Sequence, residues 1–180
     1  MKKGFEHMTN FREINPQEIT QNPFGLIGSD WGLVTAGDKD NFNTMTISWG
    51  GVGIMWNKPA AFTFIRPQRY TYEFLERGEQ FSICFFGGAY RKELSFCGSK
   101  SGRDVDKVKE TGLTPAFTED GVPYFAEAEL VLVCKKMYGQ FLNKESVIDE
   151  DSVLKNYSGD DYHKMYVSEI VKVFSKVNAE

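Results

Sequence analysis

Residues 43–49, Asn-Thr-Met-Thr-Ile-Ser-Trp, alternate between hydroxyl-bearing and apolar side chains. On a β-strand, successive side chains point to opposite faces. Thr44, Thr46 and Ser48 therefore share one face, and Met45, Ile47 and Trp49 the other. A short strand-like run at 33–36 precedes them, and the Gly/Asp/Asn-rich stretch between predicts a β-hairpin. The following GGVG reads as a flexible connection to IMWNKP. AAFTFI at 60–65 is apolar and β-favouring, and FSICFF at 81–86 reads as a buried strand. Two longer β runs, AEAELVLVCKKMYGQF and YHKMYVSEIVKVFSKV, occupy the last third. They flank a polar excursion, LNKESVIDEDSVLKNYSGDD, in which the pattern allows one helical turn.

Helical spacing is confined to short segments. YTYEFLERG predicts a helix with Thr71 as N-cap, Glu73 in the first turn and Gly78 as its stop. GAYRKELSFCG places Leu94 and Cys97 on one side of a second helix, and VDKVKETG gives a third, closed by Gly112. Strands are not followed regularly by long helices, which disfavours a doubly wound parallel sheet. The pattern instead predicts a mainly β, closed antiparallel barrel with a few short flanking helices, because closure removes exposed strand edges. With 180 residues and no repeat or low-complexity tract, the chain suits a single domain over 1–180 that buries its own core.

Composition narrows the function classes. A net charge of −4 gives no basic field of the kind that nucleic-acid binding needs. Cys84, Cys97 and Cys134 are an odd number without CxxC spacing, and Cys84 lies inside an apolar run. That favours reduced thiols and a reducing compartment over a disulfide framework. His7 and His163, the two histidines, lie far apart, so no metal site is expected. The N-terminal MKKGFEHMTNF has no apolar core behind its basic residues, unlike a signal peptide, and no apolar stretch approaches the ~20 residues that span a bilayer. A cytoplasmic protein without membrane contact is expected. Aromatics reach 14% of the chain; most belong to a core, but such rings also stack on planar ligands.

Candidate chemistry concentrates in FIRPQRYTYEF. Arg66 lies at a strand end, Pro67 stiffens the turn, and Arg69 stands just before the predicted helix start at Thr71. A helix N-terminus offers free N–H groups, and guanidiniums match phosphate oxygens, so the segment suits an anion. A solvated pair of turn arginines is the competing reading. CGSKSGRD adds Ser99, Lys100 and Ser101 in one bend but lacks P-loop spacing, and GGVG lacks the GxGxxG fingerprint. No nucleophilic triad stands out. His163, in GDDYHKMY, is a candidate general acid or nicotinamide contact, with a surface histidine as the alternative. On its own segment, the Thr44–Thr46–Ser48 face is most simply assigned to water.

Together, NTMTISWGGVGIMWNKP, FIRPQRYTYEF, CGSKSGRDVDK, GLTP and DYHKMYVSEI resemble, in order, the flavin reductase-like family, whose fold is the FMN-binding split barrel, and within it the flavoredoxin-like branch. The resemblance spans residues 16–173 and implies a Greek-key split barrel, FMN as cofactor, and a homodimer with the flavin near the subunit interface. It implies an oxidoreductase passing electrons from NAD(P)H to flavin or onward to an acceptor. The alternatives are a flavoredoxin-like FMN electron carrier serving a redox partner protein, and a non-catalytic flavin-binding module. It assigns Asn43, Thr44, Met45, Thr46, Ser48 and Trp49 to the isoalloxazine and ribityl chain, partly through backbone amides. Arg66, Arg69, Thr71, Lys100, Ser101 and Lys107 fall to the phosphate, and His163 to the flavin's reactive face or the dimer seam. Ser168 stands where relatives usually carry Gly, which implies tighter space around His163, and Ser158–Gly159 replaces an expected Tyr-Pro. Met45 and Trp49 pose a conflict, because alternation sends them to the core with Ile47.

Overall fold

The computed structural model describes residues 10–159 and 161–177. The N-terminal stretch with His7 lies outside them. The strands are β1 (Phe11–Ile14), β2 (Gly32–Gly37), β3 (Phe42–Ile47), β4 (Gly50–Met55), β5 (Lys58–Ile65), β6 (Gln80–Phe85), β7 (Pro115–Phe117), β8 (Pro123–Phe125), β9 (Leu130–Phe141) and β10 (Lys164–Lys176). The helices are α1 (Tyr70–Arg77), α2 (Arg91–Ser99), α3 (Lys107–Thr111) and α4 (Glu150–Val153). The main sheet runs β3-β2-β6-β9-β10-β5-β4, with β1 added to β10, and each pairing is antiparallel. β7 and β8 form a separate small hairpin.

The expected mainly β, antiparallel architecture with short helices is present, but hydrogen bonding does not close the sheet: β3 and β4 remain its two edges. Covalent geometry nevertheless bends it round. Only Ser48 and Trp49 separate the end of β3 from the start of β4, a span of at most about 11 Å. In a flat sheet of this order the same edges would stand roughly 29 Å apart at the usual strand spacing. The chain therefore crosses a slit between two edges of a curled sheet. α1 and α2 pack against β3, whose outer backbone edge is paired by no strand.

The glycine-rich run read as a connection is itself the edge strand β4. It joins β5 through Trp56–Asn57, both at positive φ, a tight hairpin turn without the usual Asn-Gly signal. Gly50 needs its missing side chain, since its φ is 151° and an added Cβ would stand 2.6 Å from the Phe62 carbonyl oxygen. Two apolar clusters flank the sheet. Val34, Met45, Ile47, Ile65, Phe81, Leu132 and Tyr166 fill the concave side, where Phe74 and Leu75 of α1 seal it. Leu33, Cys84, Leu94, Cys97, Val131 and Val133 pack outside under α2 and the β7–β8 hairpin. β6 and β9 thus bury both faces, which explains their uninterrupted apolar runs. All three cysteines are free and buried.

Candidate functional site

The start of α1 lies two residues earlier than predicted. Arg69 is the N-cap and makes no side-chain cap, while Thr71 is fully buried inside the first turn. Thr71 Oγ1 accepts a 2.8 Å hydrogen bond from Asn43 Nδ2, which fixes the helix start against β3. The first intrahelical bond begins at the Tyr72 amide, leaving the Tyr70 and Thr71 N–H groups to face outward.

That helix start opens into a cavity of about 180 Å³ lined by Gln68, Arg69, Tyr70, Thr71, Gly98, Ser99, Lys100, Ser101, Gly102 and Lys107. Its cations are short of counter-charge. Arg69 reaches only the Cys97 carbonyl, at 3.4 Å. Lys107 is buried, and its ammonium donates at 2.8 Å to the carbonyls of Thr44 and Cys97. Among the described residues, no carboxylate pairs with either cation. Burial first, with Arg69 beside it, pulls the Lys107 pKa down to about 8. Burial and then Arg66 lower that of Arg69. Desolvated charges of one sign facing a helix N-terminus make a site that is stable once an anion enters.

Arg69 also lines a second cavity, of about 200 Å³, with Met45, Thr46, Ile47, Ser48, Trp49, Phe64, Arg66 and His163. The alternation conflict resolves at the slit. Ile47 and Met45 bury in the core, but the chain turns at Ser48–Trp49, so Trp49 leaves that face and its ring lies 5.0 Å from the His163 imidazole, tilted by 44°. The hydroxyls of β3 are largely engaged by the protein itself. Thr44 Oγ1 pairs with Thr35 Oγ1 at 3.0 Å, and Thr46 Oγ1 donates to the Leu94 carbonyl, leaving Ser48 exposed. The backbone is the freer resource. Because Lys107 takes the Thr44 carbonyl, the main-chain groups of Thr44 point away from β2, and those of Thr46 and Ser48 follow along the unpaired edge.

Arg66 lines the cavity beside Trp49 and His163 and not the anion cavity. Its guanidinium donates at 2.5 Å to Asp161 Oδ2 and at 2.5 Å to the Asn156 carbonyl, and lies 5.3 Å from the Tyr157 ring centroid. His163 Nδ1 is 2.9 Å from the Tyr157 hydroxyl. Burial, with Arg66 and Arg69 adding to it and Asp161 opposing, depresses the His163 pKa to about 4, so the ring is neutral near pH 7. Asn43 lines neither small cavity and acts as a brace for Thr71. Ser168 is fully buried with an unpartnered hydroxyl and does not line the His163 cavity. The larger cavity beside Lys107, about 620 Å³, is rimmed by Asp40, Asp104 and Asp106, which repel an anion. Tyr157, Asp161 and the Cys97 carbonyl went unread in the sequence; the DYH motif hints at Asp161 alone.

The flavin reductase like domain model matches residues 24–178. The chain belongs to this family. Its fold is similar to that of a flavoredoxin from Methanosarcina acetivorans, at 22% identity and a TM-score of 0.63, over 82% of this chain and 68% of that one. It is similar to an FMN-binding domain of a flavin reductases-like enzyme from Shewanella baltica, at 18% identity and a TM-score of 0.67, over 93% and 78% of the two chains. An NADH:FAD oxidoreductase from Streptomyces globisporus shares the fold at 16% identity and a TM-score of 0.60, over 81% and 75%. No curated protein matches the chain. At such identities the likeness is one of fold, which matches the split-barrel expectation.

The donor set of this flavin reductase-like chain fits FMN. Uncompensated Arg69 and Lys107 at an open helix start suit a phosphate dianion, and the free edge of β3 beside Trp49 suits a flat heterocycle with polar edges. Gly98 and Gly102 let the 98–102 bend pack closely on β3: a Cβ on Gly102 would stand 2.0 Å from Asn43 Oδ1, and one on Gly98 3.3 Å from Thr46 Cβ. Among the described residues, no group of three or more His, Cys, Asp or Glu side chains could hold a metal ion, and no helix is long and apolar enough to cross a membrane.

Proposed function

We propose that the protein, as one domain, binds FMN and works as a cytoplasmic oxidoreductase of the flavin reductase type, moving electrons from NAD(P)H through flavin to an acceptor. The observation that carries this reading is the pair of cavities joined at Arg69, one cationic and one walled by the β3 edge, Trp49 and His163. Arg69, Lys107, the Tyr70 and Thr71 amides and the Ser99–Ser101 bend hold the phosphate. The Thr46 and Ser48 backbone meets the ring edge. Bound flavin supplies the hydride and electron chemistry, and the chain orients it and sets the hydrogen bonds around it. Neutral His163 stands at the open face as the group able to donate or accept a hydrogen bond there.

The exposed apolar residues Trp49, Ile54, Met55, Trp56 and Tyr138, on and beside the edge strand β4, support a homodimer across this face. The buried free thiols agree with a reducing compartment. A second reading, an FMN electron carrier serving a redox partner protein, is favoured by Trp49, which at 46% exposure leaves the mouth of the ring cavity open to a docking partner. Anaerobic stopped-flow mixing of the FMN-loaded protein with NADH and NADPH separates the two. Rapid bleaching of the flavin band identifies the reductase; a stable band that bleaches only with a protein donor identifies the carrier.

A further inference from the structure

We propose that Tyr157 is a positioning residue that fixes His163 as its Nε2–H tautomer, so that the imidazole presents a hydrogen-bond donor to the cavity beside Trp49. The phenol is held from several sides. Its hydroxyl lies 2.9 Å from His163 Nδ1, and its ring meets the imidazole edge-on at 5.6 Å and 74°. Tyr162 stacks on the same ring at 4.5 Å, and the Arg66 guanidinium lies 5.3 Å from its centroid. Arg66 is itself tied to Asn156 and Asp161, the chain on either side of this tyrosine. Tyr157 therefore has little freedom to turn its hydroxyl elsewhere.

Two tautomers could satisfy the Tyr157–His163 contact, and the surroundings choose between them. A phenol O–H is a stronger donor than a neutral imidazole N–H, and an imidazole nitrogen is a stronger acceptor than a phenol oxygen, so the 2.9 Å contact favours the hydroxyl donating to Nδ1. A neighbouring guanidinium strengthens an O–H as donor and weakens its oxygen as acceptor. Among the described residues, Arg66 and Arg69 oppose protonation of the imidazole, Asp161 favours it, and burial outweighs Asp161, so the ring holds a single proton. With Nδ1 accepting from Tyr157, that proton sits on Nε2, the nitrogen left for the cavity. There it can donate to a carbonyl oxygen or ring nitrogen of a bound heterocycle. This consequence rests on the flavin reading above; the tautomer itself does not.

The test uses flavin-free protein. Long-range ¹H–¹⁵N correlation of the imidazoles, with His163 assigned by loss of its signals in His163→Gln, reports which nitrogen is protonated. The expected result is a single Nε2–H pattern near pH 7 that becomes a mixture of both tautomers in Tyr157→Phe, which keeps the ring packing. An Nδ1–H pattern in the unaltered protein overturns the inference, as does an unchanged pattern in Tyr157→Phe. The unaltered protein alone decides the tautomer if the variant folds poorly. In the FMN-loaded protein, Tyr157→Phe should slow flavin reduction by NADH about tenfold while FMN affinity stays within about twofold. Nε2–H in a protein that takes up no FMN keeps this inference and removes the flavin reading.

Discussion

Arg66 and Arg69 flank one turn, yet the molecule uses them in opposite ways. Arg66 has a carboxylate, a carbonyl and an aromatic face as partners within the protein. Arg69 has one long contact to a carbonyl and a buried lysine for a neighbour. The first guanidinium is satisfied and acts as an internal strut under the 143–163 excursion. The second is a desolvated charge whose counter-ion must come from outside. On the reading proposed above, position in the Arg-Pro-x-Arg motif does not decide which arginine meets the phosphate; the carboxylate each meets across the fold does.

The largest effect that would break this contrast is expected at Arg69. Arg69→Ala should weaken FMN binding about 10- to 100-fold, the range of a charge-assisted hydrogen bond, and leave riboflavin binding nearly unchanged. Fluorescence titration with the two ligands measures both. Arg66→Ala should keep the FMN-to-riboflavin ratio and instead loosen the excursion, seen as faster amide exchange in residues 150–159. A phosphate-specific loss in Arg66→Ala would reverse the two roles.

Gly102→Ala comes next. Its Cβ would collide with Asn43 Oδ1, which is tied to Thr71, so the cationic side should lose about 1–3 kcal/mol of stability by denaturant titration.

Lys107 gives a smaller, pH-dependent handle. Its folded pKa of about 8 lies below the ordinary 10.5, so between these values the unfolded chain binds more protons. Stability of the flavin-free protein should therefore rise with pH from about 8 to 10.5, and this gain should vanish in Lys107→Met. FMN affinity should fall over the same rise, as the ammonium is lost.

A comparable effect on the acid side belongs to His163, whose pKa is about 4 against an ordinary 6.5. Its contribution is present above pH 6.5 and is lost on acidification towards 4, because only the unfolded chain takes up the proton in that window. His163→Gln should flatten that part of the acid-melting curve.

Much of this was legible in the chain itself. Alternation located β2 and β3, continuous apolar runs located β6 and β9, and Gly112 closed α3 as expected, in a left-handed conformation at φ 70°. β4 was hidden because three of its six residues are glycines, whose absent side chains carry no period. The open slit was hidden because whether β3 meets β4 is a tertiary fact that neither strand's own sequence decides. At the site, the Arg-Pro-x-Arg turn and the Ser-Lys-Ser bend both reach the predicted neighbourhood. What sequence could not supply was the sorting of the arginines, since Asp161 is 95 residues from Arg66. The hydroxyl face of β3 read as ligand-facing from the resemblance. In the fold, the hydroxyls of Thr44 and Thr46 bond to Thr35 and Leu94, and it is the backbone part of that assignment that we propose for the ligand.

One titration tests the central claim most directly: the flavin-free protein against FMN and against riboflavin, in the same buffer at pH 7. If Arg69, Lys107 and the α1 start form a phosphate site, FMN should bind at least about tenfold more tightly than riboflavin, and added salt should narrow the gap. Equal affinity for the two, or no uptake of FMN at all, would contradict it.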